Sequence, residues 1–362
     1  MSAPVALIMA GGTGGHVYPA LALARELRTR SWQIVWLGTR RGLEARVVPA
    51  EQIPLEVLGV AGLRGKGIGS WLLAPWRLLR SLVEALAVMR RHRPSVVVGL
   101  GGYVTGPGGV AAWLTRAPLL IHEQNAIAGF TNRCLARLAR EVYAAFPDAF
   151  GSGVAAQVIG NPVRAEIVAI PPPAERFALR SGAIRILVIG GSQGAARLNS
   201  VLPYALARLA GRVAVDVRHQ AGDRLIEAAR RDYAAAGVKA QVSPFIEDMA
   251  DSYAWADLVV CRAGALTVSE LACAGVGAIL VPFPAAVDDH QTHNARAQVA
   301  EGAAVLIADR DLTAERLAAE LMTLCAGRGK LIAMAERARL LARTGATAAL
   351  AAACERYAQV AA

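Results

Sequence analysis

The sequence predicts an α/β protein made of two doubly wound parallel sheets, and three observations carry that prediction. Short apolar runs rich in Val, Ile and Leu alternate with helical stretches along most of the 362 residues. Two of these runs, "VALIMAGGTGGH" (5–16) and "IRILVIGGSQGA" (184–195), open similar units, each delivering a GG-x-x-G turn into a helix. Between them, "AIPPPAERFALRSGA" (169–183) holds three consecutive prolines and no strand pattern, which makes it the expected linker. The length also exceeds what a single core usually supports.

The elements follow in order. In the first half, "VALIMAGG" (5–12), "QIVWLG" (33–38), "SVVVGLGG" (95–102), "PLLIHEQN" (118–125) and "AQVIGNP" (156–162) read as buried parallel strands. Within 76–89, Leu79, Leu82, Val83, Leu86 and Met89 recur at three- and four-residue spacing and predict a helix. After the proline segment, strands are expected in 184–199, 213–220, 257–264 and 277–284, and helix from 311 to 360. The expected division is a first domain at 1–163, a second at 164–340, and a terminal helix at 341–362 that packs back on the first domain. Two such units put the expected ligand cleft between them, at the carboxyl ends of the strands.

Composition bounds the class. Apolar residues make up 55% and charged ones 19%, a globular balance. Residues 1–163 hold 17 of the 39 Lys/Arg but only 8 of the 28 Asp/Glu, so most of the +11 net charge sits there. The partner of that half is expected to be anionic. Aromatics at 5% and the lack of a recognition motif argue against nucleic acid. The five cysteines are scattered, with no CxxC and no Cys/His cluster, so neither a disulfide frame nor a zinc site is expected and a reducing cytoplasm fits. "MSAPVALIMAGG" has no basic start, so no signal peptide is expected. The uncharged stretches Ser95–Thr115 and Leu271–Val287 are interrupted by Gly or Pro and read as strands leaving into loops, not membrane spans.

Gly11, Gly12, Gly14 and Gly15 remove side chains from the first turn, and a helix is expected to begin near Pro19. Bare N–H groups at a helix amino end favour an anion, often phosphate. The spacing fits neither G-x-G-x-x-G, since Val17 stands at the third glycine, nor a Walker A loop, which needs GK[ST]. A ligand-free tight turn is the alternative. "GGSQGA" (190–195) repeats the logic with Ser192 as a hydroxyl donor, and "GLGGYVTGPGG" (99–109) is either a third anion loop or a flexible crossover. In "RAGALTVSE" (262–270), Gly264, Ala265 and Leu266 offer N–H groups and Thr267 a hydroxyl for a diphosphate. Glu270 there is either a ribose ligand or an acid complementing the helix dipole. His16 is a base candidate or a structural junction residue, with His122 and His290 as alternatives. His122, at a strand end, reads as packed.

"GGTGGHVYPALALA", "GLRGKGI", "GGYVTGPGG", "HEQNAIAGFTNR", "GNPVR", "GGSQGA", "FIEDMA", "ADLVVCRAGALTVSE" and "DDHQTHNA" occur in this order. Nearly the whole chain thereby resembles the bacterial peptidoglycan N-acetylglucosaminyltransferases, which convert lipid I to lipid II. The resemblance implies a GT-B architecture of two Rossmann-like domains across a cleft. It also implies inverting transfer of GlcNAc from UDP-GlcNAc to the C4 hydroxyl of undecaprenyl-diphosphate-linked N-acetylmuramoyl-pentapeptide. It assigns Thr13, Gly14 and Gly15 to the first loop, with His16 the base. Asn125 and Arg164 would touch the donor, and Ser192 would face its diphosphate. Ile246 would hold uracil through its backbone, Ala265, Leu266, Thr267, Val268, Ser269 and Glu270 would wrap diphosphate and ribose, and Gln291 would bind GlcNAc hydroxyls. Ala263 and His290 depart from residues (Ser and Gln) found in some members. These motifs hold no DxD-like pattern, so no metal and no cofactor is expected.

The resemblance also gives the basic half a partner. In "GLRGKGIGSWLLAPWRLLR" (62–80), Arg64, Lys66, Arg77 and Arg80 alternate with Ile68, Trp71, Leu72 and Trp76. This mixture suits peripheral docking on an anionic membrane surface, at the cytoplasmic face of the inner membrane, and an ordinary buried helix is the alternative. Other readings on the same architecture are a UDP-GlcNAc 2-epimerase, a glycosyltransferase with another acceptor, or a non-catalytic nucleotide-sugar or membrane-binding module.

Overall fold

A computed structural model of the chain describes residues 3–59, 74–178, 180–191, 194–284, 286 and 289–358. The chain divides into two compact units. Unit 1 comprises the residues up to Arg164 together with those from Thr344 onward, and unit 2 is Ala165–Arg343.

Unit 1 is a parallel sheet in the order β3-β2-β1-β4-β5-β6-β7. Its strands are β1 (Val5–Met9), β2 (Gln33–Gly38), β3 (Leu55–Val57), β4 (Val96–Gly99), β5 (Leu119–Glu123), β6 (Glu141–Ala144) and β7 (Gln157–Val158). Side chains alternate along β1. Ala6 and Ile8 pack with the leucines of α1 (Gly14–Thr29), while Leu7 and Met9 pack on the other face with α3 (Ala74–His92) and α4 (Thr105–Leu114). Two shorter helices, α2 (Glu44–Ala50) and α5 (Phe130–Leu135), complete this part. The buried Trp36 donates its indole N–H to the Ala10 carbonyl at 2.8 Å, which fixes the chain as it leaves β1.

One sequence expectation changes here. Helix α1 begins at Gly14, not near Pro19, because the Thr13 carbonyl already accepts from His16 N (3.1 Å) and Val17 N (3.2 Å). Pro19 therefore lies inside the helix, and His16 in its first turn. The helix expected in 76–89 is present as α3, and only part of its apolar stripe is buried. Ala85, Val88 and Met89 are buried, whereas Leu79 and Val83 are 52% and 59% exposed.

Unit 2 repeats the topology as β10-β9-β8-β11-β12-β13, all parallel. The strands are β8 (Ile184–Ile189), β9 (Val215–Gln220), β10 (Gln241–Ser243), β11 (Leu258–Cys261), β12 (Gly277–Leu280) and β13 (Ala304–Leu306). Its helices are α6 (Ala165–Val168), α7 (Pro173–Ala178), α8 (Ala196–Ala207), α9 (Ile226–Ala235), α10 (Met249–Trp255), α11 (Ala265–Ala274), α12 (His290–Ala300), α13 (Ala314–Cys325) and α14 (Arg328–Leu340). The expected linker at 169–183 is instead part of this unit. Its prolines lack donors, but its arginines tie it down: Arg176 donates to the carbonyls of Ala274 (2.9 Å) and Tyr253 (3.4 Å), and Arg180 to that of Ala256 (2.8 Å) and to the buried Asp257 carboxylate.

The chain then returns to unit 1 as α15 (Ala346–Ala358). Leu350, Ala351, Ala353 and Cys354 join the α1 core cluster, and Arg30 meets Glu355 at 2.8 Å. In both sheets the order reverses between the first strand and its crossover neighbour, β1/β4 and β8/β11. Loops leaving the carboxyl ends at such a switch point form the usual ligand crevice of doubly wound folds.

Candidate active site

In unit 1 the loops after β1, β4 and β5 meet at the switch point. Gly11 N donates to the Gly101 carbonyl at 3.3 Å. Gly101 and Gly102 have φ of +105° and +92°, and a Cβ on them would lie 2.6 Å from His16 Nδ1 and 2.5 Å from the Gly11 carbonyl oxygen. Only glycine permits both the backbone conformation and that approach. The buried Glu44 carboxylate accepts from Gly12 N (2.9 Å), Thr39 N (2.9 Å) and Thr39 Oγ1 (2.7 Å). Gly11 and Gly12 therefore spend their N–H groups internally. Those of Thr13, Gly14 and Gly15 lie at the amino end of α1 with no protein acceptor among the described residues.

His16 is half-buried, and its Nδ1 lies 3.2 Å from Oε1 of Gln124, a buried residue just past β5. His16 Nε2 has no protein partner among the described residues. Glu123 knots the same loop: Oε1 accepts from Asn125 N (2.9 Å) and Nδ2 (3.1 Å), and Oε2 from Gly129 N (3.1 Å) and Asn132 Nδ2 (2.8 Å). Arg164, closing the continuous part of unit 1, stacks its guanidinium on the Tyr18 ring at 5.3 Å. His122 is fully buried with Nε2 2.9 Å from the Gly160 carbonyl oxygen, and burial pushes its pKa down to about 4.

In unit 2 the loop after β8 contains Gly194 (φ +75°), where a Cβ would come within 2.2 Å of the Ala221 carbonyl oxygen. Ser192 lies outside the described residues. The loop after β11 enters α11 through Gly264, whose carbonyl accepts from Val268 N at 2.9 Å. Leu266 and Thr267 thus present first-turn N–H groups. Helix α12 braces this turn from behind, with Asn294 Nδ2 donating to the Ala263 carbonyl (3.2 Å) and Gln298 Nε2 to that of Val268 (2.7 Å). Ser269 turns its hydroxyl back to the Ala265 carbonyl at 3.0 Å. Glu270 is buried and accepts from Tyr253 OH at 3.0 Å. Ile246 N donates to Gln220 Oε1 (3.3 Å), and Gln291 Oε1 accepts from Phe283 N (2.9 Å). His290 is the first residue of α12.

The structure thus brings Thr13, Gly14, Gly15 and His16 together in unit 1, and Ala265 through Glu270 together in unit 2. Sequence reasoning missed the braces Glu44, Gln124, Asn294 and Gln298. Gln124 had a visible signal, since it sits in the "HEQN" run between two residues already singled out.

Of the expected membrane patch, Arg64, Lys66, Ile68, Trp71 and Leu72 fall outside the described residues. Trp76, Arg77 and Arg80 are exposed on α3, beside Leu79 and Val83. A groove of about 450 Å³ runs between α3, α4 and α5, lined by Leu78, Leu79, Leu82, Val110 and Phe130 among others. No helix among the described residues is long and apolar enough to cross a membrane.

Residues 6–144 match the glycosyltransferase family 28 N-terminal domain and residues 185–351 its C-terminal domain. A relative from Alkalilimnicola ehrlichii named UDP-N-acetylglucosamine--N-acetylmuramyl-(pentapeptide) pyrophosphoryl-undecaprenol N-acetylglucosamine transferase is 58% identical, over 98% of this chain and 99% of its own length. One of the same name from Marinobacter nauticus is 55% identical over 94% of both chains. The crystal structure of Acinetobacter baumannii MurG is 41% identical and superposes with a TM-score of 0.83, covering 98% of this chain and 99% of that one. The chain therefore belongs to glycosyltransferase family 28 and, within it, to the UDP-N-acetylglucosamine--N-acetylmuramyl-(pentapeptide) pyrophosphoryl-undecaprenol N-acetylglucosamine transferases.

Proposed function

We propose that this chain transfers GlcNAc from UDP-GlcNAc to the C4 hydroxyl of the N-acetylmuramoyl-pentapeptide of undecaprenyl-diphosphate-linked lipid I, giving lipid II with inversion at the anomeric carbon. The observation that carries the reading is the unit 1 loop, where three N–H groups stand beside an imidazole Nε2, all four without a protein partner among the described residues. Nε2 takes the proton of the C4 hydroxyl as its oxygen attacks C1 of the sugar. The bond from C1 to the β-phosphate oxygen breaks, and its electron pair leaves with UDP. The N–H groups of Thr13, Gly14 and Gly15 suit the acceptor diphosphate. Those at the start of α11, with Thr267 and Ser192, suit the charge growing on UDP.

Glu270 would hold the ribose through the carboxylate that Tyr253 already fixes. Uracil at Ile246 would replace Gln220 on that N–H. Gln291 would take GlcNAc hydroxyls, and Asn125 and Arg164 would contact the donor from unit 1. Exposed Trp76, Leu79 and Phe130, with Arg77 and Arg80, support peripheral attachment to an anionic surface, the cytoplasmic face of the inner membrane.

Turnover decides the reading. Incubation with UDP-GlcNAc and lipid I is expected to give lipid II and UDP, and no lipid II would end it. His16→Ala should lower kcat roughly 10²–10⁴-fold while the Kd for UDP-GlcNAc stays within about twofold. Unchanged turnover would remove His16 from the mechanism.

A further inference from the structure

We infer that Gln124 is a positioning residue that holds His16 in its Nδ1–H tautomer, so that the lone pair stands on Nε2 where the acceptor proton must go. The inference rests on the reading of His16 as the base and adds the group that makes it one.

The geometry supplies both halves of the constraint. Which ring nitrogen of a neutral histidine carries the proton is set by the partner of the other. Here the partner is an amide oxygen 3.2 Å from Nδ1. That oxygen can only accept, so Nδ1 must donate. Gln124 cannot turn away, being 1% exposed, with its main-chain carbonyl held by Asn161 Nδ2 at 3.1 Å and its neighbour Glu123 knotted into the following turn. The imidazole also lies close against Gly101, where a Cβ would meet Nδ1 at 2.6 Å and Cε1 at 2.7 Å. The amide Nε2 of Gln124 is itself buried with no partner among the described residues, so the side chain is not placed to satisfy its own donors. It is placed to present Oε1 to the ring.

The choice of an amide has a consequence. A carboxylate at this position would fix the same tautomer but would also hold the imidazolium after proton transfer. A neutral amide orients the ring and then lets the proton leave again, which suits a base that must reset every turnover.

The test uses the full-length protein with ¹⁵N-labelled histidine, reading tautomers from long-range ¹H–¹⁵N spectra, with the His16 signals identified by their loss in His16→Ala. In the wild type at neutral pH, His16 is expected as the Nδ1–H form. Gln124→Met, which keeps the volume and removes the acceptor, should shift it toward Nε2–H. The same variant should lower kcat about 10–100-fold with little change in the KM for UDP-GlcNAc, and the double variant with His16→Ala should be no slower than His16→Ala alone. Gln124→Glu retains the acceptor, so it should keep the tautomer, restore most of the rate and move the acid limb of the kcat/KM profile to higher pH. If Gln124→Met does not fold, Gln124→Glu and Gly101→Ala carry the test, the latter displacing the ring from the amide. A tautomer indifferent to position 124 would overturn the inference while leaving His16 as base, whereas an Nε2–H wild type would overturn the inference together with Nε2 as the proton acceptor. A fully active His16→Ala would instead overturn the base reading.

Discussion

The two units share one strand order but support their ligand loops in opposite senses. In unit 1 the brace is an acceptor: the Glu44 carboxylate takes the N–H of Gly12 and those of the neighbouring Thr39 turn. In unit 2 the braces are donors: Asn294 and Gln298 hold the carbonyls of Ala263 and Val268. A brace that consumes N–H groups narrows what the loop can offer an anion, leaving the three at Thr13, Gly14 and Gly15. A brace that ties back carbonyls leaves the N–H side of the turn to the ligand. The first arrangement is built to fix the position of a side chain, His16. The second is built to receive charge.

The strongest way to break that contrast is to remove the unit 1 brace. Glu44→Ala removes the shared acceptor of three part-buried hydrogen bonds and should cost about 2–4 kcal/mol of stability by chemical denaturation. It should also depress kcat by tenfold or more while donor affinity holds. A weakened donor Kd with intact kcat would reverse the assignment of the two loops.

Each unit also buries one histidine, and both are held neutral. Burial pushes His122 in unit 1 and His219 in unit 2 down to about 4. Folded and unfolded chains are both neutral at these positions above about pH 6.5, so neither residue makes stability depend on pH there. As pH falls from 6.5 toward 4, the unfolded chain takes up protons that the folded one refuses. Stability should then drop by about 1.4 kcal/mol per pH unit for each histidine. Thermal melts between pH 7 and 5 check the sign. His219 keeps partners on both nitrogens, Tyr233 OH at 3.0 Å and Asn199 Oδ1 at 3.1 Å, so His219→Gln should halve that slope without touching unit 1.

A smaller effect sharpens the unit 2 half of the comparison. Asn294→Ala and Gln298→Ala each free one carbonyl behind the α11 turn and should weaken UDP binding about tenfold by calorimetry, near 1.4 kcal/mol. With saturating UDP-GlcNAc, kcat should hardly move. A kcat defect at saturation would mean that this turn positions reacting atoms and does not only bind the leaving group.

The legible part of the molecule was the part whose signal is local. β4, β11 and β12 are buried along their whole length and show as unbroken apolar runs, and β1, β2 and β8 are nearly so, with only Val5, Gln33 and Arg185 reaching solvent. β3, β10 and β13 are three-residue strands whose pairing is supplied by neighbours, so their own residues say little. The glycine loops were visible because Gly–Gly pairs interrupt those runs. Their donors were not separable by eye, since Glu44 reaches Gly12 across 32 positions and Gln124 reaches His16 across 108. The helix α3 was legible but what covers its apolar stripe was not: three- and four-residue spacing marks such a stripe and does not say whether a core or something else covers it.

The C-terminal helix offers the last test, because unit 1 is completed by a segment that follows all of unit 2 in the chain. α15 meets α1 in two ways, through a core contact and through a surface ion pair. Leu350 is fully buried in the α1 cluster, whereas the Arg30–Glu355 pair is 26% and 40% exposed and Arg30 has a second carboxylate in Glu26 at 2.6 Å. If burial holds the segment, Leu350→Ala should cost about 2–5 kcal/mol. A double-mutant cycle on Arg30 and Glu355 should give a coupling of no more than about 1 kcal/mol, smaller still in high salt. A larger coupling would mean that the return of the chain to unit 1 is specified by charge and not by the apolar face of α15.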